Sequence, residues 1–169
     1  MNGAYRRTSA LLGAAGAALL TAGPVMLLRG RSGRKEIRAE LAAQRITFPR
    51  HGLPARLAHL AGAPVGTGPR AHAYAEMIKD HLAQATGGRT YAEITEELHA
   101  AGGDDEKLTQ LRQTSFMGET LRGSLLSAYQ AWQLTTLVTG LGAVLTGLGA
   151  VLVATADAVR TEGVEGRRP

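Results

Sequence analysis

The sequence predicts an all-α membrane protein: two antiparallel transmembrane helices with a helical polar domain between them. Three observations carry that expectation. The stretch TGLGAVLTGLGAVL, Thr139 to Leu152, writes one uncharged heptad twice. A second apolar stretch, SALLGAAGAALLTAGPVMLL, runs from Ser9 to Leu28. No charged residue falls between Thr8 and Leu28 or between Gly123 and Ala156, and most of the charge lies between those two segments. The mean hydropathy of −0.05 averages this contrast away. The expected order is a tail over 1–8, a first span over 9–28, a polar helical region over 29–124, a helix over 125–156 with its membrane core at 134–156, and a disordered tail over 157–169.

The first span is long enough to cross a bilayer but rich in Ala and Gly. Its small residues Ser9, Gly13, Ala17 and Thr21 fall four apart and predict a packing stripe. Pro24 is expected to kink or end this helix. A cleaved export signal is the rival reading: Arg6 and Arg7 give a basic start and Gly23 a small residue for cleavage. The product would be an exported protein with a C-terminal membrane anchor. Against it, Pro24 follows the cleavage point and the apolar run continues to Leu28.

The middle region reads as short helices. Arg34 to Gln44 continues the first helix, and Ile46-Thr47-Phe48-Pro49 breaks it, since the residue before proline avoids helix. Gly68-Pro69 opens the next helix and Gly87-Gly88 closes it. Thr90-Tyr91-Ala92-Glu93 is a capping box. Gly102-Gly103 ends the short helix that follows, and Asp104 or Asp105 caps a last helix running into the second span. Modest apolar content predicts that this region orders only against the membrane or a partner.

In the second span, Leu134 to Ala156, one face holds Leu141, Val144, Leu145, Leu148, Val151 and Leu152. The opposite face holds Thr139, Gly142, Ala143, Thr146, Gly149 and Ala150, with Gly140 and Gly147 beside it. Four helical glycines would cost about 1 kcal/mol each in water. In a bilayer, small residues instead let a second helix approach closely. Seven-residue spacing suits a left-handed crossing. Tyr129 and Trp132 precede the span, as interfacial aromatics do.

On Ile46-Thr47-Phe48-Pro49, on Thr67 to Ile94 (TGPRAHAYAEMIKDHLAQATGGRTYAEI), on Leu111 to Trp132 (LRQTSFMGETLRGSLLSAYQAW) and on the glycine-rich last span, the chain resembles a family of small two-span membrane proteins of high-GC Gram-positive bacteria. Gly68, Pro69, Ile78, His81, Gly87, Gly88, Arg89, Thr90, Tyr91, Ala92 and Glu93 match its pattern. The stretches Arg29 to Arg45 and Ala100 to Gln110 are particular to this chain. The resemblance implies two spans and no activity, although such proteins often carry the label of aromatic ring-opening dioxygenase.

The residues give that label little. Such an oxygenase holds iron through two His and a carboxylate. His72 and Glu76 share a helix face, but His81 lies about 180° round from His72. Glu96-Glu97-Leu98-His99 holds one Glu-x-x-His, where a di-iron bundle needs two copies and two further carboxylates. Thr114, Ser115 and Ser124 have no base beside them, and the absence of cysteine removes thiol chemistry. The expectation is therefore no enzyme and no cofactor. The net charge of +5, carried by 16 Arg and 3 Lys, comes without basic runs interleaved with aromatics, so no nucleic-acid partner is expected. The expected partners are the lipid bilayer and either a second copy or another membrane protein.

Arg29, Arg31, Arg34, Lys35 and Arg38 stand beside the first span. They suit anionic lipid headgroups and serve equally as a topology signal. Near the membrane, the loop side adds Arg112 and Arg122 to those five, against Arg6, Arg7, Arg160, Arg167 and Arg168 on the side of the termini. That balance predicts a multi-pass protein of the cell membrane with a cytoplasmic central loop.

Overall fold

The structure, a computed structural model, describes residues 2–165. Among these residues lie four α-helices: α1 Asn2–Ala43, α2 Gly68–Thr86, α3 Tyr91–Ala100 and α4 Glu106–Glu165. A short 3-10 helix, Ala55–Leu60, stands between α1 and α2. One isolated β-bridge joins Thr47 to Pro64, and no strand forms among the described residues.

The helices α1 and α4 are each long and apolar enough to cross a membrane. Pro24 sits inside α1 and does not end it. The proline costs one backbone hydrogen bond. The turns beside it are held by packing, because Gly23, Met26 and Leu27 all lie against Gly142 of α4. The tail expected over 1–8 is helical from Asn2, and α4 continues past Ala156 to Glu165. The last four residues of the expected C-terminal tail, 166–169, lie outside the described residues.

The chain divides into two compact units. One takes the residues up to Arg34 and those from Leu134 onward; the other is Lys35–Gln133. In the first unit α1 and α4 pack side by side. In the second, the end of α1, the 46–65 segment, α2 and the first part of α4 enclose Leu41, Phe48, Leu57, Val65, Ala71, Ala75, Met77 and Leu125. This region therefore has a core of its own, where the sequence predicted order only against the membrane or a partner. Phe48 donates its N–H to the Ala63 carbonyl (3.0 Å) and Val65 to that of Ile46 (2.9 Å), which seats both side chains in the core. Phe48 also meets the Tyr74 ring edge-on, centroids 5.1 Å apart.

Local chemistry sets the corners. Gly87 takes a left-handed conformation (φ 64°), which a side chain would resist, and Gly88 donates to the Ala83 carbonyl at 2.8 Å. Arg89 ties the corner, donating to the Thr86 carbonyl (2.8 Å) and the Glu97 carboxylate (2.6 Å). The Thr90 hydroxyl accepts from the Glu93 N–H (3.3 Å), while the Glu93 carboxylate accepts from the Thr90 N–H (2.7 Å), completing the capping box. The Thr90 N–H, and after it the Thr90 hydroxyl (2.8 Å), donate to the Glu93 carboxylate and hold the carboxyl below its usual range. The Asp105 carboxylate accepts from the Leu108 N–H (3.0 Å) and opens α4.

Candidate functional site

The organised feature of the first unit is a seam of small residues. Within this unit, the buried positions of α1 are Ser9, Gly16, Gly23 and Gly30, spaced by seven. Those of α4 in the same unit are Gly142, Gly149 and Ala156, also spaced by seven. A Cβ on Gly16 would lie 2.9 Å from the Gly149 carbonyl oxygen, and one on Gly23 would lie 2.7 Å from that of Gly142. A Cβ on Gly30 would meet the Thr139 hydroxyl and lie 3.2 Å from the Thr135 carbonyl oxygen. Gly16, Gly23 and Gly30 lie against Gly149, Gly142 and Thr135 in turn. The backbones thus touch directly at three levels, as only glycine permits.

Threonines line the seam without leaving polar atoms unpaired. The Thr146 hydroxyl donates to the Gly142 carbonyl (2.8 Å) and the Thr139 hydroxyl to the Thr135 carbonyl (2.7 Å). Leu20 and Val153 reach the seam beside Gly149 and Gly16, but many of the large side chains point away. Leu11 is 72% exposed, Leu137 69% and Val151 63%. Of the most apolar 18-residue window in each helix, 11% is buried.

The residues expected to pack divide accordingly. Gly142 and Gly149 are buried in the seam, and Thr139 and Thr146 are half-buried beside it. Gly13 is half-buried, with room for a Cβ 3.8 Å from that of Ala156. Ala17, Thr21, Ala143 and Ala150 are exposed. On α1 the buried small positions run at a spacing of seven through Gly16, Gly23 and Gly30, beside the spacing of four expected from the sequence. Gly140 and Gly147 face open space.

Among the basic residues, Arg29 and Arg31 are exposed, and the Arg34 guanidinium donates to the Thr136 hydroxyl at 3.0 Å. In the second unit Lys35 is exposed and the Arg38 guanidinium lies 5.4 Å from the centre of the Trp132 ring. Trp132 also covers Gly68, where a Cβ would collide with its Cβ and Cγ. The Tyr129 ring lies tilted against that of His72, centroids 4.6 Å apart. Both aromatics expected at the membrane interface are thus packed within the second unit.

The second unit holds an open depression of about 500 Å³ lined by Leu53, Pro54, Met77, Asp80, His81 and Gln84, among others. Asp80 pairs with Arg56, whose hydrogen bond holds the Asp80 carboxyl below its usual range. Glu76 lies 3.8 Å from Lys79, and Glu97 is taken by Arg89. Among the described residues no three His, Asp or Glu side chains gather as a metal would require. No family model, curated protein or solved structure matches the chain.

Proposed function

We propose that this chain is a two-span protein of the cell membrane whose spans pair antiparallel and tether a helical domain, and that it acts by association rather than catalysis. Its partner is a second copy or another membrane protein. The observation that carries this reading is the inverted packing of the first unit. Small and hydroxyl side chains fill the interior while Leu and Val cover the outside. Water would penalise that arrangement by about 25 cal/mol for each Å² of apolar surface left exposed. Lipid tails remove the penalty and reward close backbone approach. The descending order of contacts between α1 and α4 supports the antiparallel pairing. Gly140, Gly147, Ala143 and Ala150, open on α4, support association with a further helix.

We place the chain with the small two-span proteins of high-GC Gram-positive bacteria that it resembles, and the central loop in the cytoplasm by the Arg and Lys count. The alternative of cleavage near Gly23 would cut the seam in the middle, separating Gly16 from Gly30.

The test begins with alkaline carbonate extraction of membranes from cells producing the full chain. Retention in the pellet is expected, and release into the supernatant would overturn the reading. Because the chain has no cysteine, single reporters then give the topology. Exposed Ala100→Cys in the loop and Ala158→Cys beyond the second span should react oppositely with a membrane-impermeant thiol reagent. Labelling of both in intact cells would rule out two spans.

A further inference from the structure

The geometry points to a pair of anionic phospholipid contacts, one on each flank of the seam, made by Arg29 and Arg31. This rests on the membrane reading above. At about 100° per residue, Arg29 and Arg31 project to opposite sides of Gly30, the last glycine of α1 whose added Cβ would meet the backbone of α4. Both side chains are exposed, and neither makes an ion pair among the described residues. The acidic residues of this unit, Asp157, Glu162 and Glu165, all lie at the far end of α4. Within this unit the Gly30 end therefore carries only positive charge. Exposed Leu28 and Leu134 mark the edge of the apolar surface beside it. One helical turn beyond that edge is headgroup depth, where a guanidinium meets a lipid phosphate. Arg34, bonded to Thr136, positions the helix end rather than the lipid.

The opposite end differs. Arg160 lies 3.9 Å from Asp157, so part of its charge is balanced within the chain. Among the described residues, Asp157, Glu162 and Glu165 there offset Arg6, Arg7 and Arg160, so the preference for anionic lipid should be one-sided.

The test uses the full chain in nanodiscs of mixed phosphatidylcholine and phosphatidylglycerol, with the protein-bound lipid measured by native mass spectrometry. The wild-type chain should retain phosphatidylglycerol in excess. Arg29→Gln/Arg31→Gln should lose about five-fold of that preference per guanidinium, about 25-fold for both. Arg29→Lys/Arg31→Lys should keep most of it, and Arg6→Gln/Arg7→Gln should leave it unchanged. An undiminished preference in the Gln variant, or an equal loss in the Arg6/Arg7 variant, would overturn the assignment. Displacement by millimolar inorganic phosphate would mark an anion site rather than a lipid contact. A chain that leaves the membrane in alkaline carbonate overturns both readings; one that stays without any lipid preference overturns this one alone.

Discussion

Gly23→Ala should destabilise the helix pair, although Ala is the better helix former. The added Cβ would collide with the Thr146 hydroxyl and lie 2.7 Å from both the Gly142 carbonyl oxygen and the Thr146 nitrogen. Two of those three neighbours are backbone atoms, which no rotamer change removes. Ordinary carbon contacts begin near ~3.5 Å, so the helices must part by about 0.8 Å at this level. A gap of that size forfeits roughly a quarter to a half of the dispersion energy of each contact it opens. Overpacking of this kind costs about 1–3 kcal/mol, and the propensity gain of Ala over Gly returns at most about 1 kcal/mol. With two backbone atoms struck the upper part of that cost applies, about 2–3 kcal/mol, and the net expectation is a loss of about 1–2 kcal/mol. Gly140→Ala and Gly147→Ala have nothing near their added Cβ, so they should be neutral or stabilising by up to about 1 kcal/mol. Thermal unfolding in detergent micelles, followed by circular dichroism, measures all three. A neutral or stabilising Gly23→Ala, or an equal loss at Gly140, would refute the seam.

Other consequences fall in the polar unit. Gly68→Ala should cost about 1–3 kcal/mol, because its Cβ would strike Trp132. Trp132 is the single tryptophan, so a red shift of its fluorescence would report displacement, and an unchanged spectrum would deny the contact. Thr90→Ala removes the cap of α3 and should cost about 1 kcal/mol, read as faster amide exchange at Ile94 and Thr95. The Glu93 carboxyl is held below its usual range. Its contribution is therefore present at pH above the unfolded-state value near 4.5 and is lost as pH falls through the lower folded value. Glu93→Gln should flatten that part of the acid unfolding curve, and an unchanged curve would remove Glu93 from the account. Gly142→Leu should break the pairing within one chain, whereas Gly147→Leu should weaken association between chains and leave that pairing intact. Crosslinking that responds the other way round would reverse the two roles.

Much of this was legible in the residues. Two long uncharged stretches announced the two apolar helices, and Gly87-Gly88, Thr90 with Glu93, and Asp105 marked helix ends through local chemistry that needs no tertiary context. The phase of the α1 seam was harder to read. In a helix so rich in Ala, small residues lie on every face, so a spacing of four looked as good as any. Only the partner selects Gly16, Gly23 and Gly30. The clue was their spacing of seven, the same as in the α4 repeat. Tyr129 and Trp132 illustrate a second limit. Position beside an apolar run suggested an interfacial role, but their packing on His72 and Gly68 depends on α2, far away in sequence. The short bridge between Thr47 and Pro64 was hidden for the same reason: each side reads alone as a break.

The central claim is an antiparallel pair in a seven-residue register, and a disulfide tests it most directly. A Cβ at Gly13 would lie 3.8 Å from that of Ala156, within the range of about 3.5–4.5 Å that a disulfide spans. The double variant Gly13→Cys/Ala156→Cys, oxidised in native membranes, should form an intramolecular disulfide in high yield. A chain that stays reduced there, while Gly13→Cys/Thr139→Cys closes instead, would contradict both the direction and the register of the pair.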